Sequence, residues 1–234
     1  MNELEPVHVS IDLETLGKNP EAMIVSIGAV KFDPYTGEMG DEFYRVIDLE
    51  APGGGVMDVS TVLWWMRQDE AARKHLFAPE IERVPLQHAL VDLSEWLGLN
   101  DELETEFPNV RLWQRGDKDA QWLTSAYEGM GLRMPFPYWG VSDQRTFCRW
   151  IPADKVEREG THHNALDDAK YQAQCIVKAF KYLATEPRSL WVEQKEDGLL
   201  VRCENAVGLA GVYVPEVGLA REVFAASAIN KPEV

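Results

Sequence analysis

Cysteine is scarce in this chain, and positive charge is in short supply. The 234 residues include three cysteines, Cys148, Cys175 and Cys203. Their odd number and wide spacing exclude a disulfide framework and a CxxC metal motif, and they read as thiols of a protein in a reducing compartment. Lysine and arginine total 23 against 39 aspartates and glutamates, a net charge of −16 with histidine neutral. A protein that gripped duplex nucleic acid through its phosphates alone would be basic, so simple duplex binding is disfavoured. An enzyme that reaches phosphates through bound cations is still allowed, because metal-holding carboxylates add negative charge themselves. No apolar run approaches the ~20 residues needed to span a bilayer. The opening stretch MNELEPVHVSIDLE is acidic and then strand-like, unlike a signal peptide. The expectation is a cytoplasmic protein with no membrane contact. Histidine is sparse as well, and the adjacent pair His162-His163 has no further histidine near it to complete a zinc site. The glycine-rich segment Ala51–Val56 lacks both GxxxxGKS/T and GxGxxG and reads as a flexible connector.

What is present is an ordinary globular balance, 45% hydrophobic and 26% charged, in a chain long enough to bury a core without staples. Val7–Leu13 alternates apolar and polar residues as a strand does. Met23–Phe32 is a second strand, followed by a turn at Asp33–Gly37, and Glu42–Ile47 is a third. Helices are expected at Ser60–Arg67, capped within Asp58–Ser60, and at Glu70–Leu76. Leu86–Leu97 follows, with Leu86, Ala89, Leu90, Leu93 and Leu97 on one face. An acidic loop, Asp101–Pro108, leads to a short strand at Val110–Trp113 and a helix at Asp119–Gly129. The aromatic loop Pro135–Trp139 reads as packing. Gln144–Trp150 is a short strand or a helical turn, and Ala165–Ala184 a long helix. Beyond Pro187 the pattern changes to short strands at Ser189–Glu193, Leu199–Glu204 and Gly211–Val214, with an Asp197-Gly198 hairpin turn. The expected architecture is α/β: a mixed sheet of three antiparallel strands plus parallel ones, flanked by helices, in a domain over residues 1–185, with a small β-rich appendage over 186–234.

Three short stretches carry chemistry. Asp12 and Glu14 lie two apart on a strand and so share a face. Two neighbouring carboxylates repel, and burying them unpaired costs several kcal/mol, a conflict that a divalent cation resolves; the plainer alternative is a strand with one solvated face. His163 and Asp168 stand where a polar loop enters the last helix. Asp168 alone could simply favour the helix N-terminal dipole, whereas histidine is a base near neutral pH. Asp119 opens the middle helix, where it is either an N-cap or a group aimed back at the first strand.

Taken together, these stretches resemble the DEDDh subgroup of 3′-5′ exonucleases, and more narrowly their bacterial and phage exoribonuclease-like branch. The resemblance runs over residues 7–184 through IDLETLGKNPEAMIVSIGAVKFDPYTGE, STVLWWMRQDEAAR, LWQRGDKDAQWL, SDQRTF and HHNALDDAKYQA. It implies an RNase H-like fold. It implies that Asp12, Glu14, Asp119 and Asp168 bind two Mg2+ or Mn2+ ions and that His163 is the general base. The register His163–Asp168 is preferred over His162–Asp167, and Asp119 over Asp117. The implied reaction is two-metal hydrolysis, releasing nucleoside 5′-monophosphates from RNA or single-stranded DNA 3′ ends. Leu13, Thr15 and Leu16 are expected to position the terminal nucleotide. Trp64 and Trp65 offer rings for a base, with Trp65 taken as the contact; the alternative puts one ring in the core and the other on a helix surface. Arg145 meets a phosphate or pairs with Asp143. A homodimer is among the assemblies the resemblance allows. Two other classes compete: a catalytically inactive relative that binds nucleic acid or protein, and a phosphohydrolase acting on short nucleotides.

Overall fold

Hydrophobic alternation places β1 (Val7–Thr15) at the centre of the molecule. The computed structural model describes residues 6–99, 107–151 and 153–185, together with the backbone of three strands between 189 and 215. In β1, Val9, Ile11 and Leu13 project to one side of a five-stranded sheet, while Ser10, Asp12 and Glu14 project to the other. The first set joins a core with Leu86, Ala89, Leu90 and Leu93 of α3 (Leu86–Leu97) and Leu123 and Tyr127 of α4 (Lys118–Met130). The opposite face of the sheet is covered by α6 (Ala165–Thr185), whose Ala169, Ala173, Ile176 and Val177 pack on Val30, Phe32 and Trp113. Both faces of β1 are therefore covered. Its alternating polar residues do not mark a solvated face, since Ser10 is fully buried and Glu14 nearly so.

The strand order is β3-β2-β1-β4-β5, with β2 Ile24–Phe32, β3 Met39–Val46, β4 Val110–Gln114 and β5 Val141–Asp143. Strands β1, β2 and β3 form an antiparallel meander, and β4 and β5 add parallel to it. This is the expected mixed sheet, with β5 an unforeseen member: three residues carry too little pattern to read. The stretch after it, open between strand and helix, is the helix α5 (Gln144–Arg149). Asp143 caps it, its carboxylate accepting from the backbone N–H of Arg145 and Thr146.

A third cluster lies beyond the end of β1. Leu16 and Val25 pack there with Trp65 of α1 (Val59–Trp65) and with Ala72 and Leu76 of α2 (Glu70–Phe77). Two expectations change here. Asp58 stands at the N-cap of α1 without capping it, because its Oδ2 accepts from the Lys18 backbone N–H at 2.9 Å. The glycine-rich connector is pinned rather than flexible: the Val56 N–H donates to the Glu21 carbonyl at 2.7 Å, and the Met23 N–H to the Val56 carbonyl at 2.9 Å. Gly55, at φ 80°, allows that approach, since a Cβ there would come within 2.8 Å of the Glu21 carbonyl oxygen. The loop Pro135–Trp139 is packing only in part. Phe136 is buried, while Tyr138 and Trp139 are exposed.

The chain divides into two compact units, Met1–Lys181 and Tyr182–Val234. The second contains an antiparallel meander, β6 (Ser189–Lys195), β7 (Gly198–Asn205) and β8 (Gly208–Pro215), in that order. Most of the expected acidic loop over 101–108, and Asp197 of the expected hairpin turn, lie outside the described residues. Cys148 and Cys175 are free and half-buried thiols.

Candidate active site

Four acids and a histidine meet where β1, α4 and α6 converge. Glu14, His163 and Asp168 each place one ligand atom within 4.8 Å of the others. Asp119, in the first turn of α4, is 5% exposed, and its Oδ1 accepts the backbone N–H of Leu13, between the two β1 acids, at 3.0 Å. Asp12 lies under α6, where its Oδ1 accepts from the Gln172 amide at 2.7 Å. The sequence-predicted ligands Asp12, Glu14, Asp119 and Asp168 and the predicted base His163 are thus brought together.

Local chemistry fixes each of these placements. Asn164 caps α6, its Oδ1 accepting from the N–H groups of Leu166 and Asp167 at 3.1 Å. The two aspartates of the first turn then part company. Asp167 turns back to the preceding loop and accepts the Thr161 N–H at 2.7 Å. Asp168 faces Glu14, accepts the His163 N–H at 3.0 Å on Oδ2, and is paired through Oδ1 with Arg158. His163 has φ 62°, the left-handed region, and is the only non-glycine with positive φ among the described residues. Such a conformation costs about 1 kcal/mol or more, and here it curls the backbone over Asp168. At the start of α4, Asp117 occupies the N-cap position but is exposed, and its side chain makes no capping bond. Gln114 does the capping instead, its Oε1 accepting from the Ala120 N–H at 2.8 Å.

The close approach of α6 to the sheet depends on a missing side chain. Gly28 of β2 stands opposite Asp12 in the antiparallel register. A Cβ there would lie 2.2 Å from the Ala165 carbonyl carbon and the Leu166 nitrogen. Glycine lets the first turn of α6 rest on the strand, which brings Asp168 within reach of Glu14.

Electrostatics make the cluster a candidate cation site. Burial pushes the Glu14 carboxyl up to about 8, helped by the charges of Asp168 and Asp119 and opposed by Arg158. Burial likewise raises Asp119 to about 7, against the hydrogen bond from Leu13 N–H. Asp12 is driven well above the usual carboxylate range by burial and then by Asp119, Glu14 and Asp168, with only the Gln172 amide opposing. Burial lowers His163, which favours the neutral imidazole, a base with a free lone pair. Carboxylates crowded until they resist ionisation lack positive charge, and an all-oxygen acidic donor set suits hard divalent ions such as Mg2+ or Mn2+. The Gln172 Oε1, buried and without a hydrogen-bond partner, is a further oxygen at this place.

The expected substrate residues fare differently. Leu13, Thr15 and Leu16 are all buried at the end of β1. Thr15 donates from its hydroxyl to the Gly17 carbonyl at 2.8 Å. Trp65 is not the exposed ring. It is 3% exposed, sits in the apolar cluster with Leu16, and donates from Nε1 to the Thr15 carbonyl at 2.9 Å. Trp64 is the exposed member of the pair, and its ring meets the His163 imidazole edge-on at 4.8 Å between centroids. Arg145 is exposed, and no ion pair joins it to Asp143, whose carboxylate serves backbone N–H groups including that of Gly116 at 2.8 Å. A cavity of about 780 Å3 runs along α4 between Gln114, Asp117, Gln121, Phe136 and Trp139, and none of the four acids nor His163 lines it. Sequence reasoning missed Gln172, Gly28 and Arg158. Gln172 lies one turn after Asp168 on the same helix face, and an isolated glycine inside a strand signals close backbone approach, so both left a trace. Arg158, in an irregular stretch, left none.

A five-stranded mixed sheet covered on both faces by helices is the RNase H-like fold of a nuclease, and the acids on its central strand and on two helices, with a histidine beside the last, form the candidate site of a 3′-5′ exonuclease. The chain belongs to the Rv2179c-like 3′-5′ exoribonuclease domain family, whose model matches residues 7–180. No curated protein matches it in sequence. Among solved structures it is similar to a 3′-exonuclease recognising the histone mRNA stem-loop, at 14% identity and TM-score 0.54, over 90% of this chain and 92% of that one. The nuclease domain of 3′hExo, a DEDDh family member bound to rAMP, is similar at 16% identity and TM-score 0.50, over 77% of this chain and 94% of that one. E. coli Exonuclease I in complex with a dT13 oligonucleotide aligns at 11% identity and TM-score 0.52, over 75% of this chain and 41% of that one. At such identities the likeness is one of fold.

Proposed function

We propose that this exonuclease hydrolyses single-stranded RNA from the 3′ end, using two Mg2+ or Mn2+ ions, and releases nucleoside 5′-monophosphates. The observation that carries the reading is the meeting of Glu14, His163 and Asp168 within 4.8 Å, with Asp12 and Asp119 beside them. The four carboxylates would hold the ions, which when bound would supply Lewis acidity for a water and for the phosphate. His163, whose burial favours the neutral imidazole, takes the proton of the attacking water. Its left-handed backbone and the Trp64 ring hold the imidazole at the edge of the acid cluster. The exposed face of Trp64 replaces Trp65 as the surface for a terminal base. RNA comes first as substrate because the family is one of exoribonucleases; one structural neighbour carries a DNA oligonucleotide, so DNA is the comparison to run.

The test is a time course on matched 5′-labelled RNA and DNA oligonucleotides with Mg2+, with Mn2+ and with EDTA. A ladder of shortening RNA that needs the cation supports the reading. Binding without shortening would make the chain an inactive relative, and turnover of dinucleotides alone would make it a short-nucleotide phosphohydrolase. We further propose that residues 1–185 form the catalytic domain and that 186–234 is an appendage outside the chemistry. Cleavage by a chain ending at Thr185 would support that division.

A further inference from the structure

One positive charge is already built into the acid cluster. Arg158 reaches Asp168 Oδ1 from the irregular stretch before α6, and among the described residues it is the only lysine or arginine paired with any of the four acids. Its side chain is 15% exposed. The guanidinium lies over the Tyr171 ring, 5.0 Å from its centre. Its charge is felt by Glu14 and by His163. The pairing uses only part of the guanidinium, since the buried Nε has no acceptor. The Asp168 carboxylate is shared, its Oδ1 with Arg158 and its Oδ2 with the His163 backbone N–H. A guanidinium held beside this acid cluster presents several N–H donors in one plane, which match a group with several oxygens, as a phosphate is.

Charge counting points the same way. Four carboxylates and one phosphodiester carry five negative charges. Two divalent ions supply four positive charges, and one guanidinium supplies the fifth. In a chain of net charge −16, that last charge has to be local. A cation bound by Glu14 and Asp168 and the guanidinium of Arg158 also compete for one carboxylate.

Resting on the two-ion reading above, we infer that Arg158 has two partners in turn. It pairs with Asp168, competing with the cation there, and it binds the substrate phosphate once the cation has taken Asp168 over. It is thus both a brake on cation binding and a phosphate ligand.

The experiment compares the full-length wild type with Arg158→Gln and Arg158→Lys. Calorimetric titration with Mn2+ alone should show Arg158→Gln binding the ion about fivefold more tightly than wild type. With Ca2+ in place of Mg2+ to permit binding without turnover, Arg158→Gln should bind a short 3′-hydroxyl RNA more weakly. Its salt dependence should be shallower by roughly 0.7 in log–log slope, one phosphate contact fewer on a single strand. Arg158→Lys should fall between the two on both measures. A melting curve in EDTA shows whether each variant is folded, and wild-type cleavage run alongside tests the two-ion reading separately. An Mn2+ affinity unchanged or weakened by Arg158→Gln overturns the competition. An unchanged salt slope overturns the phosphate contact. A purely structural arginine would weaken both ion and RNA binding and leave the slope where it was.

Discussion

At the residue scale the site is a balance between charge and burial. Asp12 is held well above its ordinary pKa by burial and three neighbouring acids, so its negative charge is costly until a cation arrives. Asp12→Asn removes that charge and preserves an oxygen for the Gln172 amide. The expected result is loss of cleavage by at least about 1000-fold, together with a melting temperature in EDTA at pH near 8 equal to or above that of wild type. A lower melting temperature with cleavage retained would remove Asp12 from the site. The two histidines separate in the same way. His163→Ala should slow cleavage by about 100- to 10 000-fold, the usual contribution of a general base, while Mn2+ still binds by calorimetry. His162→Ala should leave the rate within about threefold of wild type. If calorimetry showed Mn2+ affinity lost in His163→Ala, His163 would be a ligand rather than a base, a role its distance from Glu14 and Asp168 would permit.

At the scale of elements, the fit of α6 on the sheet decides the geometry. Nothing in the Gly28 backbone demands glycine. The demand comes from the helix resting on it, and any Cβ collides with main-chain atoms of Ala165 and Leu166, which cannot rotate away. Gly28→Ala is expected to cost about 1–3 kcal/mol by overpacking and to shift Asp168 from Glu14. Cleavage should then fall more than stability alone explains, with weaker Mn2+ binding in the folded fraction. Mn2+ affinity equal to wild type would show that the helix tilts without disturbing the acids. Sequence legibility follows the same physics. The strand meander, α3 and α6 were readable because burial on one face imposes a period. The chain order of Asp12, Glu14, Asp119, His163 and Asp168 was readable because the resemblance is one of spaced motifs. The roles of Asp167 and Asp168 separate on a helical turn, with one accepting from Thr161 and the other facing Glu14. Whether Trp64 or Trp65 lies inside depended on how α1 seats against Leu16, a tertiary contact with no local signature. Arg158 depended on the path of an irregular segment, for which periodicity says nothing.

At the scale of the whole molecule, the buried acids tie stability to pH. Burial pushes the Glu14 and Asp119 carboxyls up to about 8 and about 7, above the ordinary values of 4.5 and 3.8. A carboxyl whose folded pKa is raised binds more protons folded than unfolded. Its contribution is therefore greatest in acid, and it is lost as pH rises from about 4 to about 8. In EDTA the melting temperature should fall by at least about 4 °C between pH near 5.5 and pH near 8. Adding Mn2+ should raise it at the higher pH and much less at the lower one. A melting temperature that is flat with pH in EDTA would mean that the acids are not crowded as described. The net charge of −16 describes the whole chain, whereas the charge at the site is the local balance of four acids against Arg158.

The central strand carries a last consequence. Val9, Ile11 and Leu13 belong to one core, and Asp12 and Glu14 to the candidate site, on alternate residues of the same nine. A slip of one position against β2 would put Ile11 and Leu13 where the acids stand and turn both acids into the apolar interior. No half-working arrangement lies between these registers. For this chain a cleavage assay therefore counts correctly threaded molecules, and the specific activity of a preparation is a census of its folding.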